Sequence, residues 1–331
     1  MATPTLRALR QRFPEARITG LCRRNTKPLF AGMPWLDRVI SHRSRLNVMR
    51  LANRLKRGGF DTAILLPNAF RAALLAKTAG IPRRIGYDRD GRGFLLTDKL
   101  LPPKAGGRFV VTPTLRYYLG IAGYLGADVS DRRMELFVTG AEQRAADRVL
   151  AAAGVQVASP RPWVLLNPGA RYGAAKLWLP EYFAQVADRL ADEQNATVMV
   201  SAAPNERPIV EEIRRHAQRP FVDLSAHGMT LGALKALCGR VDLMITNDTG
   251  PRHMAAAMGT RVITLFGPTD PKWTTIDYPL EVELFEKVFC GPCQRKICPL
   301  DHRCMTQLRP ERVYDTALGL LRTNARLPVL P

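Results

Sequence analysis

The feature that most constrains this chain is an alternation of short β-branched or apolar runs with stretches of helical period, sustained through both halves. Such alternation belongs to parallel α/β layers. In the second half the predicted strands are WVLLN (163–167), ATVMVS (196–201), FVDLS (221–225), VDLMIT (241–246) and VITLFG (262–267), with helices over 180–194, 205–217, 230–239 and 250–258. That order predicts a doubly wound sheet of at least five strands. The first half gives RITGLC (17–22), RVIS (38–41), DTAILLP (61–67) and RRIGY (83–87), with helices near 3–13, 45–57, 69–79 and 113–126, a second and less regular α/β domain. Residues 154–162, GVQVASPRP, interrupt the pattern with Gly, Ser and two prolines and read as a linker. The final RPERVYDTALGLLRTNAR reads as an amphipathic helix opened by Pro310. The expected division is therefore 1–155, 160–309, and a C-terminal helix and tail over 310–331.

In an open parallel sheet, ligands bind outside the carboxyl ends of the strands, and three such ends carry polar groups here. Asp248 and Thr249 close VDLMIT, within the stretch TNDTGPRHMAAAMGTRVITLFGPTDP. Gly250 permits close backbone approach, and Pro251 in the first helical turn leaves the remaining N–H groups facing outward, where the helix dipole favours an anion. His253 lies in the same turn. Two readings are open: Asp248 or Thr249 caps the helix and His253 is a surface residue, or the group is an anion site. WVLLN runs into NPGARYGAAKLW (167–178), which holds Asn167, Gly169, Arg171, Tyr172, Gly173 and Lys176 ahead of a helix opening at Pro180. The composition is that of a phosphate cradle, but it fits neither GxxxxGK[ST] nor GxGxxG, which disfavours a P-loop kinase or a dinucleotide-binding dehydrogenase. SAAPNER places Glu206 beyond ATVMVS, where a carboxylate can hold ribose hydroxyls or serve as a first-turn acid.

These blocks carry a resemblance. NPGARYGAAKLWLPEYFAQVADRL, the 246–271 stretch, CGPCQRKICPLDHRCM and the opening ATPTLRALRQRFPEARI together resemble the ADP-heptose:lipopolysaccharide heptosyltransferases of glycosyltransferase family 9, most closely their type II branch. The resemblance covers nearly the whole chain. It implies a GT-B fold, with two Rossmann-like doubly wound domains facing a cleft, the acceptor on the first and the nucleotide sugar on the second. It implies an inverting, metal-independent transfer of heptose from ADP-heptose to a heptosyl-Kdo-lipid A inner core, with no cofactor. Carried over residue by residue, Lys176 and the loop of Asn167, Gly169, Arg171, Tyr172 and Gly173 would contact the diphosphate. Asp248 would face the heptose, Thr249 and Gly250 would hold phosphate with His253 beside them, and Glu206 would hold the ribose. Lys176 and Asp248 are the catalytic candidates. In the relatives a first strand and a Gly-Asp loop precede the ATPxLRALR helix. This chain begins inside that pattern, so the first strand of its N-terminal domain and the general-base Asp are expected upstream of Met1.

Charge and cysteines limit the alternatives. The chain carries a net +20, with 28 Lys+Arg against 11 Asp+Glu in residues 1–150 and 21 against 18 in residues 151–331. A field concentrated in one half favours polyanions. It suits the phosphorylated lipid A acceptor and anionic inner-membrane surface that the resemblance implies, with the protein peripheral at the inner face of that membrane. No apolar run approaches the length of a membrane span, and MATPTLRALRQRFPEAR has no uninterrupted apolar stretch of the secretory kind, so a cytoplasmic location is expected. A nucleic-acid-binding protein is the rival from another class. The arginines show no aromatic interleaving or recognisable RNA motif, so no nucleic acid is expected. A related nucleotide-sugar transferase with a different sugar or acceptor is the rival among enzymes. The D-x-D at Asp88-Arg89-Asp90 reads as a turn. Cys290, Cys293, Cys298 and Cys304 form C-x2-C-x4-C-x5-C with His302 between the last two, open to metal binding or to reduced thiols in a family-typical loop. No metal is expected for the transfer. Cys22 and Cys238 read as core residues.

Overall fold

Parallel strands need crossovers, and among the described residues every strand pair is parallel apart from one two-residue hairpin. The computed structural model describes residues 1–43, 48–156, 158–159 and 161–322. It divides the chain into a first unit of Met1–Met134 with Lys272–Asp277 and a second of Glu135–Pro271 with Tyr278–Pro331.

In the first unit the elements run α1 (Thr3–Arg12), β1 (Thr19–Arg23), β2 (Arg38–His42), α2 (Val48–Lys56), β3 (Thr62–Ile64), α3 (Phe70–Thr78), β4 (Arg83–Tyr87), β5 (Asp98–Leu100), a hairpin of β6 (Lys104–Ala105) and β7 (Arg108–Phe109), and α4 (Thr114–Tyr124). The larger strands form two parallel sheets, β1–β2 and β3–β4–β5. Residues 45–47 of the second expected helix lie outside the described residues. Ile40, Leu51, Leu55, Ala73, Ile81 and Leu95 make one core cluster, and Ile85 with Tyr87 packs on Tyr117 and Ile121 in another. The Tyr87 and Tyr117 rings stack at 3.7 Å. The D-x-D is the expected turn, with Asp90 and Gly91 both left-handed at φ 55° and 72°. The returning segment 272–277 is tied in by Asp277, which accepts from Arg116 at 2.8 Å and Arg132 at 3.3 Å, and by Thr114, whose hydroxyl donates to the Trp273 carbonyl at 3.0 Å.

The second unit contains α5 (Gly140–Ala152), β8 (Trp163–Asn167), α6 (Pro180–Gln194), β9 (Thr197–Val200), α7 (Arg207–His216), β10 (Val222–Asp223), α8 (Leu231–Cys238), β11 (Leu243–Asn247), α9 (Gly250–Ala257), β12 (Arg261–Phe266), β13 (Glu281–Phe285), α10 (Arg303–Thr306) and α11 (Pro310–Arg322). One six-stranded parallel sheet runs β10-β9-β8-β11-β12-β13, the doubly wound order in which the third, second and first strands are followed by the fourth, fifth and sixth. The strands β8, β11 and β12 are buried at every position, which is why they read as continuous apolar runs. Val164, Leu166, Phe183, Val186, Leu190, Ile245, Ile263 and Tyr314 join the central core.

The division departs from the expected one. It falls at Met134/Glu135 rather than at residue 155, because α5 packs on α8. The fully buried Lys235 pairs with Glu142 at 2.9 Å, and Ala146 meets Ala233 and Ala236. The expected linker is therefore a connection inside the second unit, with its residues 157 and 160 outside the described set. The final helix is likewise integral: Val313, Tyr314 and Ala317 are fully buried in the core. The tail, 323–331, lies outside the described residues.

Candidate active site

The strand order of the second unit reverses between β8 and β11, and the carboxyl ends of those neighbours open the crevice where ligands bind in such sheets. Their register pairs Asn167 with Thr246. The Asn167 amide donates to the Ser201 carbonyl at 2.7 Å, and the Asn247 amide to the Pro168 carbonyl at 2.7 Å. Two buried asparagines thus stitch the 167–178 loop to three strand ends.

Lys176 ends a short 3-10 turn, Ala174–Lys176, and is buried. Its ammonium lies 2.5 Å from Asp248 Oδ2 and 3.1 Å from the Asp248 carbonyl. Asp248 Oδ2 also accepts from Thr269 at 3.1 Å, and Oδ1 lies 3.3 Å from Arg252. Arg252 is fully buried. Glu281 holds it through Nε at 2.5 Å and Nη2 at 3.0 Å, Glu283 through Nη2 at 2.6 Å, and Thr264 donates to Glu281 at 2.6 Å. Glu281 and Glu283 are two apart on β13 and so face the same side, toward the helix that carries Arg252. The cluster holds two cations and three carboxylates. Burial opposes the Arg252 charge, but Glu281, Asp248 and Glu283 outweigh it and raise its pKa. Burial also raises that of Glu283, against the pull of Arg252. Removing one member of such a buried set leaves an uncompensated charge, at a cost of about 3–5 kcal/mol.

At the start of α9 the side chain of Thr249 does not cap the helix. Thr249 occupies the cap position, but its side chain makes no cap bond and its hydroxyl lies 3.3 Å from that of Thr246. Without a cap bond from Thr249, the first-turn N–H groups keep the capacity to bind an anion. A Cβ at Gly250 would meet nothing within 4 Å, so the protein itself does not require glycine there. The half-buried His253 has Nδ1 sealed from solvent with no hydrogen-bond partner. Burial, with the nearby charges of Arg252 and Lys176, lowers its pKa well below the ordinary value.

The third strand end joins the same loop. A Cβ at Gly169 would come within 2.1 Å of the Glu206 carboxylate, which itself accepts from the Ala203 N–H at 3.0 Å. Glu206 therefore closes its own turn, as a first-turn acid does, while lying against the cradle. Tyr172 and Arg171 are exposed, the Tyr172 ring 5.0 Å from the Lys176 ammonium. Gly173 faces the Lys296 backbone, where a Cβ would come within 2.3 Å of the carbonyl oxygen. The expected nucleotide-sugar residues from Asn167 to His253 thus stand at the ends of three neighbouring strands, Gly250 and His253 in the first turn of α9 and Arg171 exposed. Arg252, Glu281, Glu283 and Thr269 were not expected. The signals for them were an arginine four residues after Asp248 and glutamates at alternate positions of an apolar run, which demand a buried cation.

Among the cysteines, Cys22, Cys238 and Cys304 are buried, and Cys290, Cys293 and Cys298 partly so. Burial and the neighbouring Cys298, Cys293 and Cys290 thiols push Cys304 up to about 11. Among the described residues no group of three His, Cys, Asp or Glu is arranged to hold a metal ion.

A family description, glycosyltransferase family 9 (heptosyltransferase), matches residues 48–303. The chain is 26% identical over 340 residues to lipopolysaccharide heptosyltransferase 2 of Escherichia coli (strain K12), covering 97% of this chain and 94% of that protein. Its fold matches the crystal structure of a family 9 glycosyl transferase from Veillonella parvula with a TM-score of 0.82 at 20% identity, covering 97% and 92% of the two chains. It matches E. coli ADP-heptose lps heptosyltransferase II with a TM-score of 0.76 at 24% identity, covering 97% and 94%.

Proposed function

The chain belongs to glycosyltransferase family 9, and from that premise we propose that it transfers heptose from ADP-heptose to a phosphorylated, heptosylated Kdo-lipid A inner core, with inversion and without a metal. The convergence of Lys176, Asp248 and the uncapped start of α9 at the strand-order reversal carries this reading. Displacing ADP from the anomeric carbon builds negative charge on the leaving diphosphate, and preorganised donors aimed at that charge lower the barrier. An ammonium has three donors. Two of those on Lys176 go to the Asp248 carboxylate and carbonyl, and the third is left for a phosphate oxygen. The N–H groups at Gly250 and beyond supply further donors with the helix dipole behind them. Asp248 holds Lys176 and faces the sugar, Glu206 takes the ribose, and His253 Nδ1 gains the partner it lacks.

For the acceptor, the first unit offers a cavity of about 180 Å³ whose lining includes Asn68, Arg89, Phe109, Tyr117 and Trp273. Asn68 Oδ1 accepts from Tyr117 at 3.2 Å and Arg92 at 3.3 Å, so the amide nitrogen is left to donate. Arg89 lies 4.4 Å from the Phe109 ring. Donors between aromatic walls suit an anionic sugar.

The test is transfer by the purified protein, prepared with whatever native sequence stands upstream of Met1, with several nucleotide sugars offered as donor, in EDTA and in Mg2+. ADP-heptose should be the donor used, and the rate should survive EDTA. Lys176→Ala should slow turnover by about a hundredfold, the scale for losing one preorganised donor. Preference for another sugar would reject the assigned donor, and loss of activity in EDTA with recovery in Mg2+ would reject the metal-free mechanism.

A further inference from the structure

The cysteine-rich segment touches both the 167–178 loop and the loop after β12 that carries Thr269. The Ala175 N–H donates to the Lys296 carbonyl at 3.0 Å, and the Ala175 carbonyl lies 2.8 Å from His302 Nε2. Both polar backbone groups of the residue preceding Lys176 are thus held by this one segment. The Tyr172 hydroxyl, on the ring beside the Lys176 ammonium, donates to the Gln294 carbonyl at 2.6 Å. On the other side the Gln294 N–H donates to the Pro268 carbonyl at 2.8 Å, next to Thr269, which bonds Asp248. Gly173 has no room for a side chain because the Lys296 backbone lies against it, and Gly267 packs on the fully buried Met305 side chain.

The backbone of the segment carries a second, independent mark. Gln294 and His302 are left-handed, at φ 57° and 59°. For a residue with a Cβ that conformation costs roughly 1–2 kcal/mol and persists where surrounding structure imposes it. Both strained residues bond these loops, Gln294 to Tyr172 and Pro268, and His302 to Ala175.

We propose that Cys290–Cys304 is a clasp for the diphosphate loop and that His302 is its positioning residue, fixing Ala175 so that the Lys176 ammonium meets the leaving diphosphate. The inference rests on the nucleotide-sugar reading above. His302 must carry its proton on Nε2 to donate to the Ala175 carbonyl, and a glutamine at this position can place an amide N–H at the same reach.

The experiment measures ADP binding to the full chain by calorimetry, for wild type, His302→Ala, His302→Gln, Lys176→Ala and the His302→Ala/Lys176→Ala double variant. A wild-type chain that does not bind ADP overturns the nucleotide-sugar reading itself. If ADP binds, His302→Ala should weaken it about tenfold, His302→Gln should recover most of the loss, and His302→Ala should cost nothing further once Lys176 is gone. Sites that act through one another are non-additive, whereas independent ones add. Equal losses in the two backgrounds, or no loss in the first, overturn the clasp. Should His302→Ala fail to fold, Tyr172→Phe removes only the hydroxyl bond to Gln294 and runs through the same cycle. There a loss of about threefold that vanishes without Lys176 is the expected result, and an undiminished one overturns the proposal.

Discussion

His253 shows how a single side chain reports on its surroundings. Its pKa is held well below the ordinary value by burial and by Arg252 and Lys176, so below about pH 6.5 the unfolded chain binds a proton that the folded one refuses. Stability is therefore full above that pH and falls as the medium is acidified, at no more than about 1.4 kcal/mol per pH unit from this group. Urea unfolding between pH 7.5 and 5 should show a shallower loss for His253→Gln than for wild type, and parallel curves would reject the buried neutral ring. At this scale the sequence was readable where the chemistry is local. Asp248 and Glu206 stand just beyond strand ends and Lys176 on the loop that follows β8, so all three could be singled out as candidates from position. Arg252 could not, because its partners Glu281 and Glu283 are 29 and 31 residues away and on an element whose own pattern they disguise.

The start of α9 is the element on which the donor reading turns. Gly250 has open space where a Cβ would stand, and its φ is not among the left-handed ones, so nothing in the protein forbids alanine. Alanine is favoured over glycine in a helix by up to about 1 kcal/mol. Gly250→Ala should therefore melt at or above the wild-type temperature while binding ADP at least tenfold more weakly, because the methyl group takes the place of a phosphate. A variant that binds ADP as wild type does would remove Gly250 from the site. Elements with a clean period were legible: α6 begins and ends at the expected residues, and β4 likewise. β13 was missed because its glutamates read as surface. The role of α5 was missed because its partner α8 lies some eighty residues on, and no local signal shows that Lys235 and Glu142 will be buried together.

For the whole molecule, charge is the dominant long-range property. No helix among the described residues is long and apolar enough to cross a membrane. The excess of cations in residues 1–150 predicts reversible adsorption to anionic surfaces, weakened by salt because exposed charges are screened over about 10 Å at 0.1 M. Cosedimentation should favour phosphatidylglycerol vesicles over neutral ones and fade by 0.5 M salt, whereas equal binding to both would reject an electrostatic origin. The discontinuity of the first unit has a consequence of another kind, for the order in which the protein is made. Trp273, a wall of the first unit's cavity, and Asp277, the partner of Arg116 and Arg132, leave the ribosome well over a hundred residues after Met134. At roughly 5–20 residues per second the first unit waits on the order of ten to thirty seconds for its last piece. It is begun first, yet it cannot be finished until most of the second unit, Glu135–Pro271, has been made.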